Sequence, residues 1–142
     1  MSTKTMVLEI VSTEKAVFTG EVSFIAVTGQ QGELGIYPGH TALISPIKPG
    51  QLTAHDVSGE ERIFYISGGV LEVQPSTVTL LADTAIRADD LDLAAAEQVK
   101  ERAEKALSDK QSEMEYSTAL SELAEAYAQL RAIQDLRRRA KK

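Results

Sequence analysis

The sequence predicts an α+β protein of two domains, an antiparallel β-sandwich or barrel followed by an antiparallel pair of helices. Three observations carry that expectation. All nine glycines and all four prolines fall at or before Pro75, so the strongest punctuation of the chain stops there. Before that point, short β-branched and apolar runs alternate with turn signals. From about Asp89 the apolar period lengthens from two to between three and four, and Ala becomes the commonest residue.

The strand candidates, in chain order, are Met6–Val11, Val22–Val27, Ile63–Ser67, Val70–Val73 and Thr77–Ala82, each rich in residues that suit a pleated, half-buried surface. Between them lie Thr19-Gly20, Gly29 to Gly32, Pro38-Gly39, Pro49-Gly50, Ser58-Gly59, Gly68-Gly69 and Pro75-Ser76, which supply the positive or preset φ angles that turns need. Many short strands at this spacing fit a sandwich or a barrel. Ser67-Gly68-Gly69-Val70 is either a tight strand-to-strand connection or a β-bulge.

In the second half, Asp89 or Asp90 is placed to cap a first helix, with Asp92 adding negative charge to its first turn. Leu93, Ala96, Val99, Ala103 and Ala106 or Leu107 share one face, and Glu101 with Lys105 is a favourable i,i+4 pair outside it. The polar run from Ser108 to Glu113 is the natural connection. A second helix carries Tyr116, Leu120, Leu123, Tyr127 and Leu130 at alternating spacings of four and three, a heptad seam expected to face the Ala-rich side of the first. Alanine offers little area at roughly 25 cal/mol per Å², so such a hairpin should open readily.

Composition removes several function classes. The 142 residues carry a formal charge of −6, which argues against nucleic acid as a partner. Cysteine is absent, which excludes disulfides, thiolate metal sites and a Cys nucleophile. Neither a signal-peptide pattern at the N-terminus nor an apolar run near ~18 residues is seen, so a cytoplasmic protein is expected. The segment Gly29-Gln-Gln-Gly-Glu-Leu-Gly35 lacks the Gly-Lys-Ser/Thr that makes a phosphate loop. His40 and His55 are the only histidines, too few for a zinc site without further ligands, and no nucleophile elbow occurs. No catalytic, metal or confident cofactor site is expected. The end of the chain is basic, with Arg131, Arg137, Arg138, Arg139, Lys141 and Lys142 against Asp135 alone.

Three segments resemble the epsilon subunits of bacterial F-type ATP synthases: Gly32-Glu-Leu-Gly-Ile-Tyr-Pro-Gly-His-Thr-Ala-Leu43 followed by Ile47-Lys-Pro-Gly50, Tyr65-Ile-Ser-Gly-Gly-Val-Leu-Glu-Val-Gln-Pro75, and Val78-Thr-Leu-Leu-Ala-Asp-Thr-Ala-Ile-Arg87. The resemblance covers essentially the whole chain. It implies a sandwich of about ten strands over residues 1–86 and a two-helix regulatory domain over 87–142. It further implies a non-catalytic place in the central stalk, against the gamma subunit and the c-ring, at the cytoplasmic face of the bacterial inner membrane, with the membrane met only through the c-ring. By themselves Glu33 and His40 read as a solvated turn residue and a loop packer; the resemblance places them toward the c-ring loops. It also implies that the second helix can extend into the catalytic head of alpha and beta subunits and restrain ATP hydrolysis, with Arg131, Arg137, Arg138 and Arg139 as candidates for acidic surfaces there. A solvated basic terminus that complements the helix dipole is the plainer account of those arginines.

One motif departs from the pattern. Relatives that bind ATP on the folded hairpin carry Ile/Leu-Asp-x-x-Arg-Ala, whereas this chain reads Leu91-Asp92-Leu93-Ala94-Ala95-Ala96. Leu91, Asp92 and Arg102 are retained, but Ala95, Glu125 and Gln129 stand where arginines would be, so no cofactor is expected. The competing reading is a free-standing β-sandwich binding module with a coiled-coil arm; a small nucleotide-dependent enzyme lacks the residues it would need.

Overall fold

A computed structural model describes residues 4–109 and 113–140, with side chains for 4–108 and 116–138. The chain divides into two compact units, Met1–Arg87 and Ala88–Lys142. The first holds eight strands among the described residues: β1 (Met6–Ser12), β2 (Ala16–Gly29), β3 (Gly32–Ile36), β4 (Leu43–Asp56), β5 (Glu61–Ile66), β6 (Gly69–Val73), β7 (Thr77–Ala82) and β8 (Ala85–Arg87).

The expectation of about ten strands and the eight observed are reconciled by β2 and β4. Each runs long enough to serve both layers of a sandwich. The first half of β2 pairs with β1, and its second half pairs with β3 and β4. The first half of β4 pairs with β6, and its second half pairs with β2 and β5. One layer is therefore β2-β1-β7-β6-β4 and the other β3-β2-β4-β5-β8. The pairing is antiparallel except between β1 and β7, which run parallel with Val7 opposite Thr77.

Alternation explains the core. Met6, Leu8 and Ile10 of β1 are buried while Val7 and Glu9 between them point out, the period-two pattern of a half-buried strand. Val78, Leu80 and Ala82 repeat it on β7, and Leu71 and Val73 on β6. With Val22, Ile25, Val27, Ile36, Leu52, Phe64 and Ile66 they form one apolar cluster between the layers.

Four strands depart from the sequence expectation. β2 continues through Thr19-Gly20, expected as a break, with Gly20 paired to Leu8 and Thr19 to Glu9. β4 carries Pro46 and Pro49, yet Pro46 faces only β6, an edge position where its missing N–H breaks no ladder. Gly-Glu-Leu-Gly is strand β3 and not a turn; the turn is the two-residue Gln30-Gln31 that joins Gly29 to Gly32. β8 is too short for any periodicity to reveal it.

Ser67-Gly68-Gly69 is a connection between layers, since β5 pairs with the second half of β4 and with β8, whereas β6 pairs with the first half of β4 and with β7. Gly69 lies at φ 146° with its missing Cβ aimed at the Leu81 carbonyl. The β4–β5 turn is held by Asp56, whose Oδ1 accepts from Ser58 N at 2.9 Å, Ser58 Oγ at 2.5 Å and Glu60 N at 3.1 Å. The Ser58 hydroxyl, aided by those amides and by Arg62, holds the Asp56 carboxyl below its usual value.

In the second unit, a 3₁₀ turn (Ala88–Asp90) precedes α1 (Leu93–Asp109) and α2 (Glu113–Ala140). The expected cap is corrected. Asp89 and Asp90 belong to the 3₁₀ turn, and Asp92 Oδ1 accepts from Ala95 N at 3.2 Å, so Asp92 is the N-cap of α1. We expect Asp92→Ala to destabilise α1 by about 1 kcal/mol, read as a lower helix melting midpoint by circular dichroism.

The expected seam on α2 is also corrected. Tyr116, Leu120 and Tyr127 are 43%, 45% and 48% exposed, whereas Ala119, Ala126 and Ile133, also seven apart, are buried. Tyr127 contacts Glu104, which sets Ala103 level with Ala126 and Ala96 level with Ile133. Alanines meeting across the pair let the backbones approach closely, and close approach pushes the large side chains to the flank. Leu123 and Leu130 are half-buried beside them. Among the described residues of α1, Lys100 pairs with Glu104 at 4.0 Å. The middle of the expected Ser108–Glu113 connection, 110–112, lies outside the described residues.

Candidate docking face

The outward residues of the β2-β1-β7-β6-β4 layer fall into rows fixed by the strand registers. Ala16, Val11, Leu81, Val70 and Pro46 are successive cross-strand partners. They form an apolar row across five strand segments, roughly 19 Å long at the usual strand spacing. Leu81 is 52% and Val70 41% exposed. The next row reads Thr19, Glu9, Thr79, Glu72 and Ile44, with Ile44 72% exposed. An apolar stripe with carboxylates beside it suits a partner with an apolar centre and basic rim.

None of these row residues was singled out from the sequence. The signal available was the outward position of each in its own alternation. What assembles them is a register among residues 11, 46, 70 and 81, which no local pattern reports.

The candidates chosen from sequence lie elsewhere. Glu33 is exposed on β3 opposite Thr28, near the Gln30-Gln31 turn. His40 is half-buried in the turn after β3, its Nδ1 2.7 Å from the Thr41 carbonyl oxygen and its amide donating to Tyr37 O at 3.2 Å. The preceding Gly39 donates to Pro75 O at 2.8 Å, which ties this turn to the β6–β7 turn. Roughly 13 Å of extended strand separates Glu33 from Tyr37, so the structure does not bring Glu33 and His40 into one cluster.

On α2, Arg131 is exposed, Arg137 is exposed at the lip of a cleft between the helices, and Arg138 is 72% exposed and ion-paired with Asp135. The Arg139 side chain, Lys141 and Lys142 lie outside the described residues. Of the remnant nucleotide motif, Leu91 is half-buried, Arg102 is exposed, and the Asp92 carboxylate is engaged in capping α1. Among the described residues no group of three or more His, Asp or Glu side chains is placed to hold a metal.

Residues 5–88 match the family described as ATP synthase, Delta/Epsilon chain, beta-sandwich domain, and residues 89–134 match ATP synthase, Delta/Epsilon chain, long alpha-helix domain. The chain belongs to the ATP synthase delta/epsilon family. A curated ATP synthase epsilon chain from Alkalilimnicola ehrlichii is 49% identical over 138 residues, covering 97% of this chain and 99% of that one. The fold is shared with a chain of the Euglena gracilis mitochondrial ATP synthase (OSCP/F1/c-ring, rotational state 1), at TM-score 0.80 and 20% identity over 87% of this chain and 78% of that chain. It is also shared with a chain of the Tetrahymena thermophila mitochondrial ATP synthase central stalk and c-ring, at TM-score 0.60 and 15% identity over 94% and 99%. As a delta/epsilon chain it is a non-catalytic subunit. The sandwich followed by a helical pair is the architecture of that family.

Proposed function

We propose that this chain is a rotor subunit of an F-type ATP synthase that docks on the gamma subunit through the apolar row and faces the c-ring loops with Glu33 and His40. The observation that carries the docking is the register-aligned row Val11, Leu81, Val70 and Pro46, apolar and outward on a sheet whose inner face is already filled. The near full-length likeness to an epsilon chain, and the fold shared with stalk and c-ring structures, support the placement. It works at the cytoplasmic face of the bacterial inner membrane, held there through its partners. No described helix is long and apolar enough to cross a membrane.

The helical unit is the regulatory part, its sandwich counterpart the anchoring part. A seam of Ala96, Ala103, Ala119 and Ala126 buries little area per turn, so closed and open hairpins lie within a few kcal/mol. Opened, α2 reaches the alpha and beta subunits of the head, where Arg131 and Arg137 meet carboxylates and hinder rotation in the hydrolysis direction. Removing everything after Arg87 is the test. The truncated chain should still co-purify with gamma, and ATP hydrolysis should rise about twofold if half of the tails are extended in the intact enzyme. Unchanged hydrolysis would remove the regulatory role, and loss of co-purification would remove the docking.

A further inference from the structure

On one flank of the hairpin the two helices do not seal. A cleft of about 530 Å³ lies between α1 and α2, with Leu93, Leu130 and Ile133 among its apolar lining and Lys100, Glu104 and Arg137 among its polar lining. Next to it, Tyr127 of α2 reaches across. Its hydroxyl donates to Glu104 Oε1 at 3.2 Å, and the Lys100 ammonium sits 5.2 Å from its ring centroid. Lys100 also pairs with Glu104 at 4.0 Å. Three side chains from two helices thus satisfy one another by a hydrogen bond, a cation–π contact and an ion pair. This arrangement also accounts for a half-exposed tyrosine that packs in no seam.

We propose that Tyr127, Glu104 and Lys100 form a clasp between α1 and α2 that sets how often the hairpin opens. The inference rests on the reading of this hairpin as one that opens, and it names the contact that regulates the opening. The alanine seam is nearly uniform along its length and is poorly suited to switching. A clasp at one flank is discrete: it is made in the closed hairpin and absent once the helices part. An exposed hydrogen bond changes such an equilibrium by about three- to tenfold, enough to matter only because the seam is weak.

The test uses the full chain, which has no cysteine of its own. Spin labels on Lys105→Cys and Ala124→Cys, both at exposed positions on facing levels of α1 and α2, report the interhelix distance. Tyr127→Phe keeps the ring and the cation–π contact but loses the hydroxyl, and should raise the population at long distance about three- to tenfold. Glu104→Gln keeps an acceptor for the hydroxyl and loses the Lys100 pair, so its effect should be smaller. Tyr116→Phe, an exposed tyrosine on the same helix, should change nothing. A Tyr127→Phe distribution equal to that of the parent, or equal to that of Tyr116→Phe, overturns the clasp. In the assembled enzyme, Tyr127→Phe should lower ATP hydrolysis by favouring the extended tail. Opening without any change in hydrolysis would leave the clasp standing and refute the regulatory reading.

Discussion

Gly69→Ala should cost the sandwich about 4 kcal/mol, a large part of the total stability of a domain this size. Two effects combine. Gly69 sits at φ 146°, a conformation that residues with a Cβ rarely adopt. An added Cβ would lie 2.1 Å from the Leu81 carbonyl oxygen and 2.9 Å from Ala82 Cα, both backbone atoms of the paired strand β7. Backbone cannot turn aside as a side-chain tip does, so β6 and β7 must separate where they pair. Gly59 is the control: at φ 86° it has nothing within 4 Å of its missing Cβ, and Gly59→Ala should cost only about 1 kcal/mol. Denaturant titration of the two variants checks this; equal midpoints would mean that the close approach at Gly69 is not what constrains the chain.

Leu81→Asp should leave the fold nearly untouched while weakening association with gamma roughly a hundredfold, about 3 kcal/mol. Leu81 is half-exposed and outside the core cluster, so its replacement opens no cavity. In the docked state the new carboxylate would lie in the middle of the apolar row, flanked by Val11 and Val70 and one row from Glu9 and Glu72. Desolvating it there has no compensating partner in this chain. Val57 is 60% exposed but lies in the β4–β5 turn, off the row, so Val57→Asp should bind as the parent does. Titration of gamma against each variant reads the difference. Equal weakening by both would show that added negative charge, and not the row, is responsible.

The fold was legible in the sequence where one residue's surroundings are decided by its immediate neighbours. Short β-branched and apolar runs located β1, the second half of β2, β5, β6 and β7, and the loss of glycine and proline after Pro75 marked the change to helices. Alternation failed at β4, because Pro46 reads as a breaker unless the strand is known to have an open edge. It failed at β3 because Gly32 and Gly35 read as turn residues, although only Gly32 has a positive φ. On α2 the heptad reading followed the large side chains, and close alanine packing then displaced them outward. Glu33 and His40 were singled out through family resemblance alone. The apolar row was legible by neither route, because it is a property of register between strands distant in the chain.

If the outward row of β1, β7, β6 and β4 is the surface that meets the stalk, bound gamma must shield a probe placed within it. Because the chain contains no cysteine, Val70→Cys supplies a single thiol in the middle of that row. The measurement is the rate at which a soluble maleimide labels it, with and without gamma. Rapid labelling of the free chain and a fall of at least about tenfold in the complex are expected for a side chain at the core of an interface. Labelling at the same rate in both, with the complex intact, would contradict docking through this row.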